Sequence, residues 1–338
     1  MKHGKLLALA LGLSVVFACG KHEDFLYVLP AKEPTNSLAV KVKEIHSSGG
    51  IDILWVIDNS GSMDPHQQNV IRNTGLFMQD FLKNRVSWKM GLISTDVSEQ
   101  PYIGFDKPFD LTDPDPAASF GQAVARLGTN GDATERTFEP VLKAFRDYPG
   151  FLRRNTALAV LIVTDAPEQS SIDAATFLPQ FRALVGDSRP VFVYSVLAAT
   201  DIAPPGGCYT QESEFPYAGS PYEAFAQNAK IGRAFSICDP NFGTNMGKIG
   251  TELVQQVYRP EIRLARRPRA STIKVLFHDA PLPAGPKDQG GLWYYDQDRN
   301  SVVFYDLGFA QGETESVTVD FEPDDGLPDT APGPVSEG

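Results

Sequence analysis

Histidine is scarce in this chain, with five among 338 residues, and cysteine is scarcer still at three. His22, His46, His66 and His278 are scattered and His3 lies in an N-terminal leader, so no pair has the spacing of a zinc-hydrolase site. Positive charge is in deficit: 30 Lys and Arg against 42 Asp and Glu leave a net charge of −12. A nucleic-acid partner is excluded on that ground, because phosphate binding needs a basic surface. Several catalytic signatures are missing: the P-loop, His-Glu-x-x-His and the Gly-x-Ser-x-Gly nucleophile elbow. The N-terminal apolar stretch, residues 6–17, is too short to cross a bilayer.

That stretch follows Lys2 and Lys5 and ends Val16-Phe17-Ala18-Cys19, an export signal that resembles a bacterial lipobox, although Phe17 is bulkier than usual there. The resemblance implies a signal peptide over residues 1–18, lipid on Cys19, and a tether with an edge strand over 19–48. It places the chain in the bacterial cell envelope, as an outer-membrane lipoprotein held to the membrane through Cys19. Three cysteines in an exported protein leave one unpaired. With Cys19 acylated, Cys208 and Cys238 are free to pair in an oxidising compartment. Their bridge closes a loop of about 30 residues and stabilises by about 3–4 kcal/mol in the loop-entropy treatment.

The chemistry concentrates in Ile51-Asp52-Ile53-Leu54-Trp55-Val56-Ile57-Asp58-Asn59-Ser60-Gly61-Ser62-Met63. An apolar run of strand length ends abruptly in Asp-x-Ser-x-Ser. It reads as a parallel strand buried on both faces, with a ligand-binding loop at its carboxyl end. Asp58, Ser60 and Ser62 offer a carboxylate and two hydroxyls, hard oxygen donors suited to a small divalent cation. Rival readings fail on particular residues. An EF-hand loop starting at Asp58 needs Gly and Glu where Met63 and Asn69 stand. An aspartic protease needs Asp-Thr/Ser-Gly twice; Asn59 breaks the first copy and no second exists. Helix capping accounts for Asp58 and Ser60 but not for Ser62 as well.

These residues resemble the von Willebrand factor type A domain, whose metal-ion-dependent adhesion site opens with Asp-x-Ser-x-Ser after the first strand. The resemblance implies a non-enzymatic module on a Rossmann-like, doubly wound parallel α/β sheet. It also implies a bound Mg²⁺ (or Mn²⁺ or Ca²⁺) with one open position, filled by an Asp or Glu carboxylate of a protein partner. Two further metal loops are implied. Asp165, after the apolar run 157–163, matches the third-loop Asp. For the second-loop Thr, Thr129 is nearest by residue type, whereas counting back from the following helix gives Asp132 or Thr134. All three also suit a turn before that helix. Asp96 and Glu168 are read as solvated carboxylates near the site.

Strand–helix alternation over 49–260 implies a parallel sheet with helices on both faces. Helices are expected over 65–84, up to Tyr148, through Phe181 and Leu184 (with Pro179 obscuring its start), over 220–230, and along Met246, Ile249, Leu253 and Val257. Strands are expected at 87–95, 190–197 and 235–238, and residues 100–117, rich in Pro and Asp, read as an exposed loop. From 261 to 322, short β-type runs follow one another without helices, with a hairpin at 293–305. They make a small β-sandwich-like module, completed by residues 38–43. Arg263, Arg266, Arg267 and Arg269 read as a solvated face, and 323–338 as a disordered acidic tail. Two other functions are open to this sequence: an envelope scaffold in which metal only stabilises the fold, and a metal-assisted hydrolase, disfavoured by the scattered histidines.

Overall fold

The computed structural model describes residues 35–324 apart from 85, 98–101, 206, 209–214, 311 and 313. The export signal, Cys19 and nearly all of the acidic tail lie outside the described residues, which belong to one compact unit.

Alternation inside fully buried strands organises the larger part. In β3 (Gly50–Ile57) every residue is buried. Ile51, Ile53, Trp55 and Ile57 enter one core, while Leu54 and Val56 enter another on the opposite face. β6 (Ala157–Thr164) divides in the same way, with Ala159, Leu161 and Val163 on the first face and Leu158, Val160 and Ile162 on the second. A strand with two apolar faces needs cover on both. α1 (Asp64–Asn84), α2 (Pro116–Leu127) and α6 (Phe242–Val257) cover the first face; α3 (Phe138–Asp147), α4 (Ala174–Val185) and α5 (Pro221–Gln227) cover the second. Across the second face Phe138 stacks on Phe177 with ring centroids 4.0 Å apart.

The sheet runs β5 (Phe109–Asp110), β4 (Ser87–Ser94), β3, β6, β7 (Val191–Leu197), β8 (Ile231–Ser236). All neighbours are parallel except β5, which returns antiparallel to β4. This is the Rossmann-like, doubly wound α/β architecture expected. Asp52, the one carboxylate in β3, is fully buried. It accepts from Arg153 Nε at 2.6 Å, from Arg153 N at 2.7 Å and from the Thr156 hydroxyl at 2.8 Å, which satisfies its charge at the amino-terminal end of the sheet.

Two elements differ from expectation. β8 starts at Ile231 rather than at 235. It is an edge strand, so Gly232 and Arg233 are exposed and its apolar signal is weak. The expected exposed loop over 100–117 instead contains β5, with Phe105 and Phe109 buried. It gives way to α2, a helix not expected from the sequence, which begins at Pro116 with the Asp115 side chain accepting from Ala118 N at 3.0 Å as N-cap. Cys208 and Cys238 are disulfide-bonded across 30 positions, with Cα atoms 5.2 Å apart. The bridge ties the insertion after β7 to the segment that follows β8.

The smaller part has two four-stranded sheets. One is β1 (Asn36–Lys41), β14 (Ser316–Phe321), β10 (Lys274–Phe277) and β11 (Ala280–Pro281); the other is β12 (Trp293–Asp296), β13 (Ser301–Phe304), β9 (Pro260–Arg263) and β2 (His46–Ser47). Between them Ile262, Val275, Trp293, Phe304, Val317 and Val319 form a third core. β1 alternates half-buried and exposed residues along an edge, with Leu38 opposite Val319, and β12 and β13 make the expected hairpin. Arg263 and Arg269 face Glu261 and Glu322 at 3.7 and 3.9 Å.

Candidate metal centre

Because β3 and β6 are adjacent and in register, with Ile57 opposite Val163, their carboxyl ends open side by side. The loop after each therefore reaches the other. Asp58 N donates to Val163 O at 2.9 Å. The Asp58 carboxylate is fully buried, accepting from Ser60 N at 2.8 Å and from the Thr164 hydroxyl at 2.6 Å. Ser60 and Ser62 lie on the turn that leads into α1, their hydroxyl oxygens 3.2 Å apart. Ser62 Oγ in turn donates to Asp165 Oδ1 at 3.1 Å. Asp58, Ser60, Ser62 and Asp165 are thus brought together, from positions more than a hundred residues apart in the chain.

The second loop is docked onto the first by two contacts. Gln67 Nε2, near the start of α1, donates to the carbonyls of Asp58 and Gly128, each at 2.9 Å. Gly131 N donates to Asn59 O at 2.8 Å, and a Cβ on Gly131 would stand 2.4 Å from the Asn59 side-chain amide, so a side chain there would force that amide to move. The three second-loop residues singled out by sequence fall around this contact. Thr129 passes Gly61 with its carbonyl. Asp132 is exposed, accepting from Thr134 N at 3.0 Å and pairing with Arg136 at 3.5 Å. Among the described residues, none of the three is hydrogen-bonded to Asp58, Ser60, Ser62 or Asp165.

The residue that turns inward is Glu135, which sequence reasoning passed over. It is 2% exposed. One carboxyl oxygen accepts from the Thr95 hydroxyl, and the other, Oε1, is buried without a partner. Its backbone N–H is held by Gln169 Oε1 at 2.8 Å. The available signal was its place just ahead of α3, three residues before the first buried aromatic, Phe138; burial of a loop carboxylate has no periodicity to announce it. Glu168 pins the same turn, accepting from Thr137 N at 2.9 Å and from Ser170 N at 2.8 Å. Asp96 is buried rather than solvated and accepts from Asp132 N at 3.3 Å.

The electrostatics follow from this crowding. Burial pushes the Asp58 carboxyl up, against the bonds from Thr164 and Ser60 that favour its charge, and Asp165 adds to the rise. Glu135 is pushed up to about 8, by burial first and then by the charge of Asp58. Negative charge thus gathers at this corner, since Asp165 adds to the rise of both Asp58 and Glu135, and one buried Glu135 oxygen has no hydrogen-bond partner; a cation beside the serine hydroxyls would offset that charge. The oxygen spacing fits as well. An octahedral ion with bonds of 2.0–2.1 Å holds neighbouring oxygens about 2.9 Å apart, and the serine and aspartate oxygens are spaced 3.2 and 3.1 Å. Among the described residues no group of three or more His, Cys, Asp or Glu forms a metal cage; the donors here are hydroxyls mixed with carboxylates.

No family model matches the sequence, and no curated protein does. Three solved structures are similar to this chain in part. A pilus adhesin, SpaC from Lactobacillus rhamnosus GG in its open conformation, is 9% identical with a TM-score of 0.43, over 85% of this chain and 40% of that one. A von Willebrand factor type A protein from Catenulispora acidiphila is 13% identical with a TM-score of 0.38, over 86% of this chain and 66% of that one. Proximal thread matrix protein 1 from the mussel byssus, with a zinc-occupied metal-ion-dependent adhesion motif, is 14% identical with a TM-score of 0.38, over 64% of this chain and 47% of that one. This chain therefore spans less than half the length of the adhesin. What its own site does is decided by the residues just described.

Proposed function

We propose that this chain is a recognition module that uses a divalent cation, Mg²⁺ in the first instance, to bind an acidic side chain of a protein partner. It would work from the bacterial envelope, anchored by lipid at Cys19. The observation that carries the reading is the row of oxygens Ser60 Oγ, Ser62 Oγ and Asp165 Oδ1, spaced 3.2 and 3.1 Å beside the buried Asp58. Ser60, Ser62 and Asp165 would hold the ion, with Asp58 and Glu135 supplying negative charge behind them. Once bound, the ion provides a positive centre for a carboxylate.

The chain's own residues do the positioning. Thr164 and Ser60 N fix the Asp58 carboxylate, and Gln67 fixes the first loop against the second. The serine hydroxyls add no charge, so the ion keeps attraction for an outside acid. Binding suits this site better than catalysis. The two serines share their hydroxyls with each other and with Asp165, and the buried His66 faces Cys208 Sγ at 3.9 Å.

Capture from bacterial envelope extracts tests the proposal. The wild-type chain should retain a partner in Mg²⁺ and release it in chelator, and Ser60→Ala with Ser62→Ala should retain it in neither. Retention in excess chelator contradicts the reading. One observation favours a second role: crowding of Asp58 and Glu135 means that a cation alone would relieve repulsion and stabilise the fold. A melt raised by Mg²⁺ together with capture that ignores Mg²⁺ would mark the chain as a scaffold.

A further inference from the structure

At the end of the sheet opposite the metal loops lies a cleft of about 580 Å³. It opens between the amino-terminal edges of β3, β6 and β7, the last turn of α6, and the β12–β13 hairpin. From Gly50 to Asp58 the strand separates cleft and metal loops by about 25 Å, at about 3.3 Å per residue. Its charge is out of keeping with the chain. Acids outnumber bases overall, 42 to 30, yet Arg154, Arg189, Lys230, Arg259 and Arg299 line the cleft, and no carboxylate lines it among the described residues.

The five cations are differently engaged. Arg189 is built into the wall, donating to the carbonyls of Arg153 and Thr156 at 3.0 and 2.7 Å. Arg259 donates to its neighbour's carbonyl at 2.9 Å, and Arg299 pairs with Glu261 at 3.4 Å. Arg154 and Lys230 are exposed, and among the described residues neither has an ion-pair partner; Lys230 Nζ rests 5.8 Å from the centroid of the Phe192 ring. Two uncompensated cations therefore share a cleft whose remaining cations keep the local field positive. In an acidic protein this field is local, so it selects for a small anion seated in the cleft rather than for a polyanion drawn to the whole surface.

We propose that this cleft binds a phosphate ester. A guanidinium and an ammonium together suit a phosphate oxygen set, and a phosphate monoester carries about −1.5 to −2 charge at neutral pH. The volume lies in the range of small-molecule sites, larger than a lone ion needs. The same chemistry is offered by a soluble phosphorylated metabolite and by a phospholipid headgroup.

The test titrates the full chain in chelator, so that the metal loops take no part and the outcome is independent of the function proposed above. The probes are inorganic phosphate, glycerol 3-phosphate, and phosphatidylglycerol vesicles against phosphatidylcholine vesicles. Saturable binding of glycerol 3-phosphate or of phosphatidylglycerol, weakened at least about tenfold in Arg154→Gln with Lys230→Gln, supports the proposal and identifies the source. Both substituted side chains are exposed, and Lys230→Glu alone provides a second variant should the pair melt early. No saturable binding of any probe at millimolar concentration, or binding unchanged in folded variants, overturns it.

Discussion

Ser62 Oγ donates to Asp165 Oδ1 at 3.1 Å, joining the loop after β3 to the loop after β6 across 103 positions of sequence. The contact exists because two adjacent parallel strands end at the same level, and Glu135, Gln67 and Thr164 below are groups that charge this junction or hold it in place.

Glu135 sets a pH dependence in the metal-free protein. Its carboxyl is held up at about 8 in the folded chain against an ordinary 4.5, so between those values the folded state binds more protons than the unfolded one. Stability from this group is complete below 4.5 and is lost as pH rises through 8. His66, lowered by burial from 6.5, acts in the opposite sense, but only at and below that value. Melts in chelator between pH 6.5 and 8 should therefore show a falling melting temperature. Each unit of pKa displacement corresponds to about 1.4 kcal/mol. Glu135→Gln should flatten the slope, and saturating Mg²⁺ should shrink it; a slope unchanged in Glu135→Gln would remove Glu135 as its source.

Gln67→Leu tests the clamp between the first two loops. The substitution removes donors to the Asp58 and Gly128 carbonyls and leaves one buried and one part-buried acceptor unmet. Denaturant melts should show a loss of about 1–3 kcal/mol with and without Mg²⁺, and Mg²⁺ affinity should fall together with it. A variant of wild-type stability would show that the second loop is held by other contacts.

Thr164→Val keeps the shape of a buried residue but withdraws the hydroxyl that donates to Asp58 Oδ2 at 2.6 Å. Groups that orient a metal site from behind typically contribute about 10–100-fold in affinity. Calorimetric titration of Mg²⁺ should show a loss in that range while the chain stays folded. Unchanged affinity would place Asp58 outside the ion's influence.

The Cys208–Cys238 bridge, spanning 30 positions, should stabilise by about 3–4 kcal/mol through the closed loop. Cys208→Ser with Cys238→Ser, measured by denaturant unfolding, should lose most of that and leave Mg²⁺ binding within error of wild type. A loss of metal binding would show that the insertion carrying Cys208 braces the metal loops.

Legibility in the sequence followed periodicity. β3 and β6 were readable because burial on both faces leaves an unbroken apolar run, and Asp58, Ser60, Ser62 and Asp165 stand where those runs stop. β8 was misplaced because an edge strand exposes Gly232 and Arg233. The second loop was the least readable. Its backbone is set by two contacts from distant residues, Gln67 to Gly128 O and Gly131 N to Asn59 O, and these decide that Glu135 turns inward while Asp132 turns toward Arg136. The basic cleft had no sequence signature, since its five cations come from five separate segments.

The most direct measurement is calorimetric titration of Mg²⁺ into the chain and into Ser60→Ala with Ser62→Ala. A single saturable binding event in the wild type, absent from a variant with the same circular dichroism, is the predicted result. No binding by the wild type, or equal binding by the variant, would contradict the assignment of a cation to the loops after β3 and β6.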